Sequence, residues 1–153
     1  MTLMACYGAP TDWFLSETDS GESTLLDADN ATAAAEVTFT ANRAALSEAV
    51  SDEAAVSLTL TPLEAGTEVL LASTINGTMM EESHTATGTE PIAITLPADS
   101  FSECSEDVCT QTISFSLELV SGRAVYEGTA TIDVYGSDES MPENAEVTVT
   151  WAP

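Results

Sequence analysis

Apolar and hydroxyl side chains alternate along most of this chain. Val37, Phe39 and Ala41 are interleaved with Thr38 and Thr40, and Val56, Leu58 and Leu60 with Ser57, Thr59 and Thr61. A period of two turns the apolar groups to one face of a strand and the hydroxyls to the other, so both segments are predicted to be half-buried strands. The same alternation returns at Val69 to Ile75, Ile92 to Leu96, Ile113 to Leu119, Ala130 to Val134 and Val147 to Trp151. These segments predict an all-β fold, an antiparallel Ig-like β-sandwich of about seven strands with one wet face per sheet.

Turn residues fall between the segments: Glu64-Ala65-Gly66, Asn76-Gly77, Pro97-Ala98-Asp99, Ser121-Gly122 and Gly136-Ser137-Asp138. The Ser121-Gly122 pair, set between two long alternating runs, predicts a tight hairpin and a meander of the last three strands. Ala41 to Ala55 departs from the pattern. Its Ala44, Ala45, Leu46, Ala49 and Val50 predict a helical turn or two in a connection that caps one end of the sandwich. The widely spaced Cys pair and intervening Trp of true immunoglobulin domains are missing, so only that architecture is supported, with a jelly roll or small barrel as alternatives.

A chain of 153 residues suits one domain. Residues 36–153 carry the sandwich pattern. Residues 7–35, rich in Ser, Thr, Asp, Glu and Ala, read as an acidic spacer whose apolar islands, Trp13-Phe14-Leu15 and Leu25-Leu26, are expected to pack on the domain as an edge strand.

Charge narrows the function. Against 26 Asp and Glu stand only Arg43 and Arg123, for a formal net charge of -24. Phosphate binding needs Lys or Arg to displace counterions, so nucleic acid is not an expected partner, and anionic lipid headgroups are disfavoured for the same reason. The acidic residues are spread without long blocks and read as a solvated surface.

The first residues include Leu3-Met4-Ala5-Cys6. This run resembles the lipobox of bacterial lipoproteins, in which a Leu three positions before the Cys and a small residue just before it mark the signal-peptidase site. The resemblance implies that Cys6 is lipidated and becomes the first residue of the mature chain, and that residues 1–6 are the remnant of a signal peptide. A full signal peptide has a basic region and an apolar core. Met1 is therefore expected to be internal to a longer reading frame. Asp12 lies too far from Cys6 to act as an inner-membrane retention signal, so an outer-membrane or cell-surface lipoprotein is expected, held to the membrane only through its lipid.

Cys104 and Cys109 are expected to form a disulfide across a hairpin end in an oxidising compartment. Neighbouring Glu103, Glu106 and Asp107 disfavour a thiolate and so argue against redox work. Zinc would need further soft ligands that the sequence does not supply. His84, the single histidine, is the one conventional general base, and Ser83 beside it does not establish a triad; the segment reads as an exposed loop. Asp27-Ala28-Asp29-Asn30 begins like a calcium loop but has Thr32 where that loop needs Gly. Asp138 and Glu139 with Glu143 form a weaker calcium candidate. Tyr126 and Tyr135, out of phase with Val125 and Val134, are candidates for an exposed binding face, whereas Trp151 is in phase with the core. No cofactor is expected. These features together describe a non-catalytic, extracytoplasmic binding or structural module whose partner is a protein or glycan at the cell envelope. A calcium-stabilised adhesion or carbohydrate-binding module is the first alternative, and a secreted hydrolase using His84 or a carboxylate pair the second.

Overall fold

A computed structural model describes residues 12–136 and 141–153. Ten strands and one short helix follow in the order β1 Trp13–Ser20, β2 Thr24–Leu26, β3 Thr32–Asn42, α1 Arg43–Ser47, β4 Ala49–Pro62, β5 Glu68–Ile75, β6 Thr78–Thr85, β7 Ile92–Pro97, β8 Val108–Ser121, β9 Ala124–Gly136 and β10 Val147–Ala152. They build an all-β sandwich of two antiparallel sheets. One has the order β1-β9-β4-β7, with β2 also paired to β9; the other has the order β10-β3-β8-β5-β6.

The alternation explains the core. Val56, Leu58 and Leu60 of β4 and Ala130, Ile132 and Val134 of β9 point inward from the first sheet. Val37, Phe39 and Ala41 of β3 and Ile113, Phe115 and Leu117 of β8 meet them from the second. The four central strands are thus the most strongly alternating ones, which fits the rule that a one-residue slip would expose a whole apolar set. The interleaved hydroxyls face outward and pair across strands: Thr18 with Thr131 and Ser20 with Thr129, each at 3.2 Å, and Thr40 with Thr148.

All seven segments read from alternation are strands, and three more join them. β1 is the edge strand expected of the Trp13 island, with Trp13 buried. From Trp13 onward the stretch expected to be a spacer supplies β1, β2 and the start of β3, because its short apolar runs find partners on β8 and β9. β6, Thr-Met-Met-Glu-Glu-Ser-His-Thr, has almost no buried residue and therefore no alternation to read. Its position follows from the Asn76-Gly77 turn, whose two positive φ values, 49° and 89°, suit a two-residue hairpin.

The predicted helix is a single short element. Asn42 caps it, its Oδ1 accepting from the Ala45 amide at 2.9 Å, and Ala45 is buried. Ala49 and Val50 belong instead to β4, drawn into pairing with β9.

Two connections differ from the sequence reading. Ser121-Gly122 does not close a hairpin, and the last strands are not a meander: β8 and β9 lie in different sheets, and β10 pairs with β3. Gly122, with φ 82°, arches the chain across the core, and the side chain of Thr67 lies against that arch, its Oγ1 donating to the carbonyls of Glu64 at 2.7 Å and Arg123 at 3.2 Å. A short Gly turn serves either geometry. The partner strands decide, since β9 pairs along nearly all of β4 and β8 along all of β3. The Cys104 loop likewise joins β7 of one sheet to β8 of the other and is not a hairpin end.

Candidate functional site

The lower end of the sandwich, where α1 and the loop of residues 98–107 meet, is the most elaborately tied region. Cys104 and Cys109 form a disulfide with their Cα atoms 6.1 Å apart. Arg43, at the start of α1, reaches the same loop: its Nη2 donates to the carbonyls of Cys104 and Glu106, both at 2.8 Å, and its Nε to Glu106 at 3.2 Å. Asp52 accepts from the Phe101 amide at 2.9 Å and from Ser100 Oγ at 3.0 Å, which seats the buried Phe101 ring under the loop. Asn42 ties in the segment before β10, donating to the Asn144 carbonyl at 2.6 Å and accepting from the Glu146 amide at 3.0 Å. All of these partners but the Ser100 hydroxyl are backbone groups, so the end is built to hold shape.

On the outer face of the first sheet, just above this end, the register sets Phe14 opposite Tyr135. Their ring centroids are 4.8 Å apart with planes tilted by 33°. Phe14 is 49% exposed and Tyr135 40%. The next row brings Ser16, Asp133 and Glu53 side by side, with Ser16 Oγ donating to Asp133 at 2.6 Å. Val50, 68% exposed at a bulge in β4, directly precedes Ser51, which pairs with Tyr135. An apolar platform beside a carboxylate row is thereby set into a face that also carries the hydroxyls of Thr18, Ser20, Thr129 and Thr131 and, farther along, the Leu25–Val125 pair.

Of the two tyrosines singled out from sequence, Tyr135 lies on this platform, while Tyr126 is a correction. Tyr126 is buried and packs edge-on against Phe115 at 6.3 Å. It falls in phase with Ala124, Ala130, Ile132 and Val134, whereas Val125, against which its phase was read, is the outward residue. Phe14 escaped the sequence reading because its exposure depends on the phase of β1 and its neighbour on the β1–β9 register. Trp151 is half-buried, packing on Phe115 with centroids 5.6 Å apart.

His84 sits on β6 rather than in a loop. Strand alternation turns Ser83 and His84 to opposite faces, so they do not form a nucleophile and base pair. Ser83 Oγ donates to Glu68 at 3.0 Å, and His84 Nε2 lies 3.5 Å from Glu82. The Asp27 carboxylate accepts from the Asp29 and Asn30 amides, both at 2.9 Å, as a local turn. Glu143 is exposed, while Asp138, Glu139 and Cys6 lie outside the described residues. Among the described residues no group of three or more His, Cys, Asp or Glu is arranged to hold a metal. No helix of the described residues is long and apolar enough to cross a membrane.

The fold and this platform define a disulfide-bearing β-sandwich with an aromatic surface patch. No protein-family model matches the chain, and no curated protein matches it. Among solved structures, it is similar to a structure of infectious bursal disease virus Gx strain at 13% identity, with a TM-score of 0.35, covering 94% of this chain and 36% of that one. A structure of the Gt strain of that virus gives 13% identity and a TM-score of 0.34, with 94% and 37% covered. The VP2 subviral particle of the virus gives 11% and 0.33, with 94% and 38% covered. The chain spans little more than a third of those chains, and likenesses this distant say nothing of its function.

Proposed function

We propose that this protein is a non-catalytic binding or structural module of the bacterial envelope, extracytoplasmic, anchored through a lipid on Cys6 at the outer membrane or cell surface, with a protein or glycan as partner. The observation that carries the reading is the Phe14–Tyr135 platform. Large aromatic side chains exposed side by side on a sheet face lose water favourably against a partner, and such groups anchor interfaces. The Cys104–Cys109 bridge is compatible with an oxidising compartment.

The Ig-like reading draws support from strand order. Immunoglobulin sheets run A-B-E-D and C-F-G, with C′ beside C in variable domains. β10-β3-β8-β5 matches the first order and β1-β9-β4-β7 the second read from G to C′. The chain connections depart from that pattern: the first strand takes the G place, the last the A place, and β5 in the D place precedes β7 in the C′ place.

A carbohydrate-binding role is the second reading, favoured by the row of Ser16, Asp133 and Glu53 beside the rings: a sugar could stack on Tyr135 and donate its hydroxyls to the carboxylates. Intact mass of the protein from its native host, expressed with its upstream DNA, tests the anchor: a diacylated or triacylated chain beginning at Cys6 is expected, and an unmodified chain beginning at Met1 would overturn it. Retention on isolated envelopes and on a glycan array tests the platform. The double variant Phe14→Ser, Tyr135→Ser is expected to lose at least tenfold in binding, and unchanged retention would remove the platform from the function.

A further inference from the structure

The four lateral edges of the two sheets are treated very differently. β1 and β10 lie side by side and close one flank of the sandwich, where the Trp151 amide donates to Asp19 Oδ2 at 2.9 Å. β7 is only six residues long and runs between Pro91 and Pro97, neither of which can donate to a ladder. β6 has none of these protections. It is eight residues long, contains no proline, pairs with β5 along its whole length and, among the described strands, with nothing on its other side.

The type of hairpin fixes which backbone groups that edge presents. In a two-residue turn the flanking pair, Ile75 and Thr78, exchanges both ladder bonds, and every second pair repeats this. Thr78, Met80, Glu82 and His84 therefore bond to β5, while the N–H and C=O groups of Met79, Glu81 and Ser83 point outward. Met79 is 73% exposed and Met80 53%, so apolar side chains flank the open ladder. On the Met79 face a shallow groove of about 520 Å³ runs from Pro153 across Ala34, Ser116 and Ala72 to that side chain.

Charge selects the occupant. Glu81 and Glu82 project to opposite faces of β6, and Glu68 of β5 lies on the same face as Glu81. Both cations of the chain are engaged elsewhere: Arg43, at the start of α1, is bound to the disulfide loop, and Arg123 lies 3.7 Å from Glu64. A second copy pairing through β6 would set these glutamates against their own counterparts, on chains that each carry a net charge of -24.

We propose that the outer edge of β6, Thr78–Thr85, is a strand-addition site for an extended, lysine- or arginine-rich segment of a partner protein. The added strand takes main-chain hydrogen bonds from Met79, Glu81 and Ser83, and its basic side chains meet Glu68, Glu81 and Glu82. This deepens the reading of the domain as a binding module but uses a surface separate from the Phe14–Tyr135 platform.

The test is titration of the full chain, by anisotropy and by amide chemical-shift mapping, with a labelled ten-residue peptide of Lys and Val whose lysines occupy both odd and even positions, so that both strand faces carry them, and with its Glu-Val counterpart. Saturable one-to-one binding of the Lys-Val peptide only is expected, with shifts concentrated at residues 79, 81 and 83. Ser83→Pro removes an outward amide without breaking a ladder bond to β5, losing besides only the Ser83 hydroxyl bond to Glu68, and E81K/E82K reverses the local charge. Each is expected to weaken binding at least tenfold in protein whose circular dichroism is unchanged. Phe14→Ser, Tyr135→Ser is expected to bind the peptide normally, which separates this site from the platform. Absence of binding, shifts centred on another strand, or equal loss in E81K/E82K with none in folded Ser83→Pro would overturn the proposal.

Discussion

Asp52, Arg43 and Asn42 each hold backbone groups of the lower end, so single substitutions there should cost more than their partial exposure suggests. Asp52 keeps the Phe101 amide satisfied beside the core. Losing a charged acceptor from a sheltered amide costs on the order of 2 kcal/mol, and Asp52→Ala is expected to lower the urea midpoint accordingly. Asp52→Asn, which keeps one carbonyl acceptor, should recover part of that loss. Arg43 spans two carbonyls with one planar fork, a geometry that the point charge of lysine does not reproduce. Arg43→Lys is therefore expected to destabilise by about 1 kcal/mol, and thiol-trapping rates should show faster reduction of the Cys104–Cys109 bridge. At this scale the sequence named the two cysteines correctly and the outward placing of Tyr135, but not Arg43 or Phe14. Arg43 grips a loop 61 to 63 residues away, and local sequence carries no trace of such a partner.

At the scale of elements, the disulfide closes a loop of six residues, for which chain entropy gives about 2 kcal/mol. Reduction should therefore lower the melting temperature by several degrees while far-ultraviolet circular dichroism keeps its β signature at 25 °C. Collapse on reduction would mean that the bridge holds more than its loop. The β5–β6 hairpin depends on Gly77 at φ 89°, and Gly77→Ala is expected to cost about 1 kcal/mol, visible as faster amide exchange confined to β5 and β6. Buried strands were readable because each wets one face only, and their period of two survives in the sequence. β6 wets both faces and left no such mark. The hairpin inferred at Ser121-Gly122 failed for another reason: a tight turn fixes where a chain reverses, but not whether it returns within its own sheet or crosses the core.

For the whole molecule, -24 charges on one small domain repel one another more strongly when folded than when the chain expands. Salt screens that repulsion over a Debye length of about 10 Å at 0.1 M. Raising sodium chloride from 10 mM to 0.5 M is expected to raise the melting temperature, and a fall would show that specific ion pairs outweigh the repulsion. Calcium at matched ionic strength separates screening from binding. An extra rise with calcium, abolished by Glu143→Gln, would revive the calcium-stabilised alternative.

The sequence by itself determined the fold class, the inward face of the seven alternating strands, the pairing of Cys104 with Cys109 and the overall sign of the surface, because each depends on short-range pattern or composition. Tertiary structure alone decided which strands share a sheet, the pairing of Phe14 with Tyr135, the Arg43 clamp and the open edge of β6. Those features arise where segments far apart in the chain compete for partners, and only the packed sandwich settles that competition.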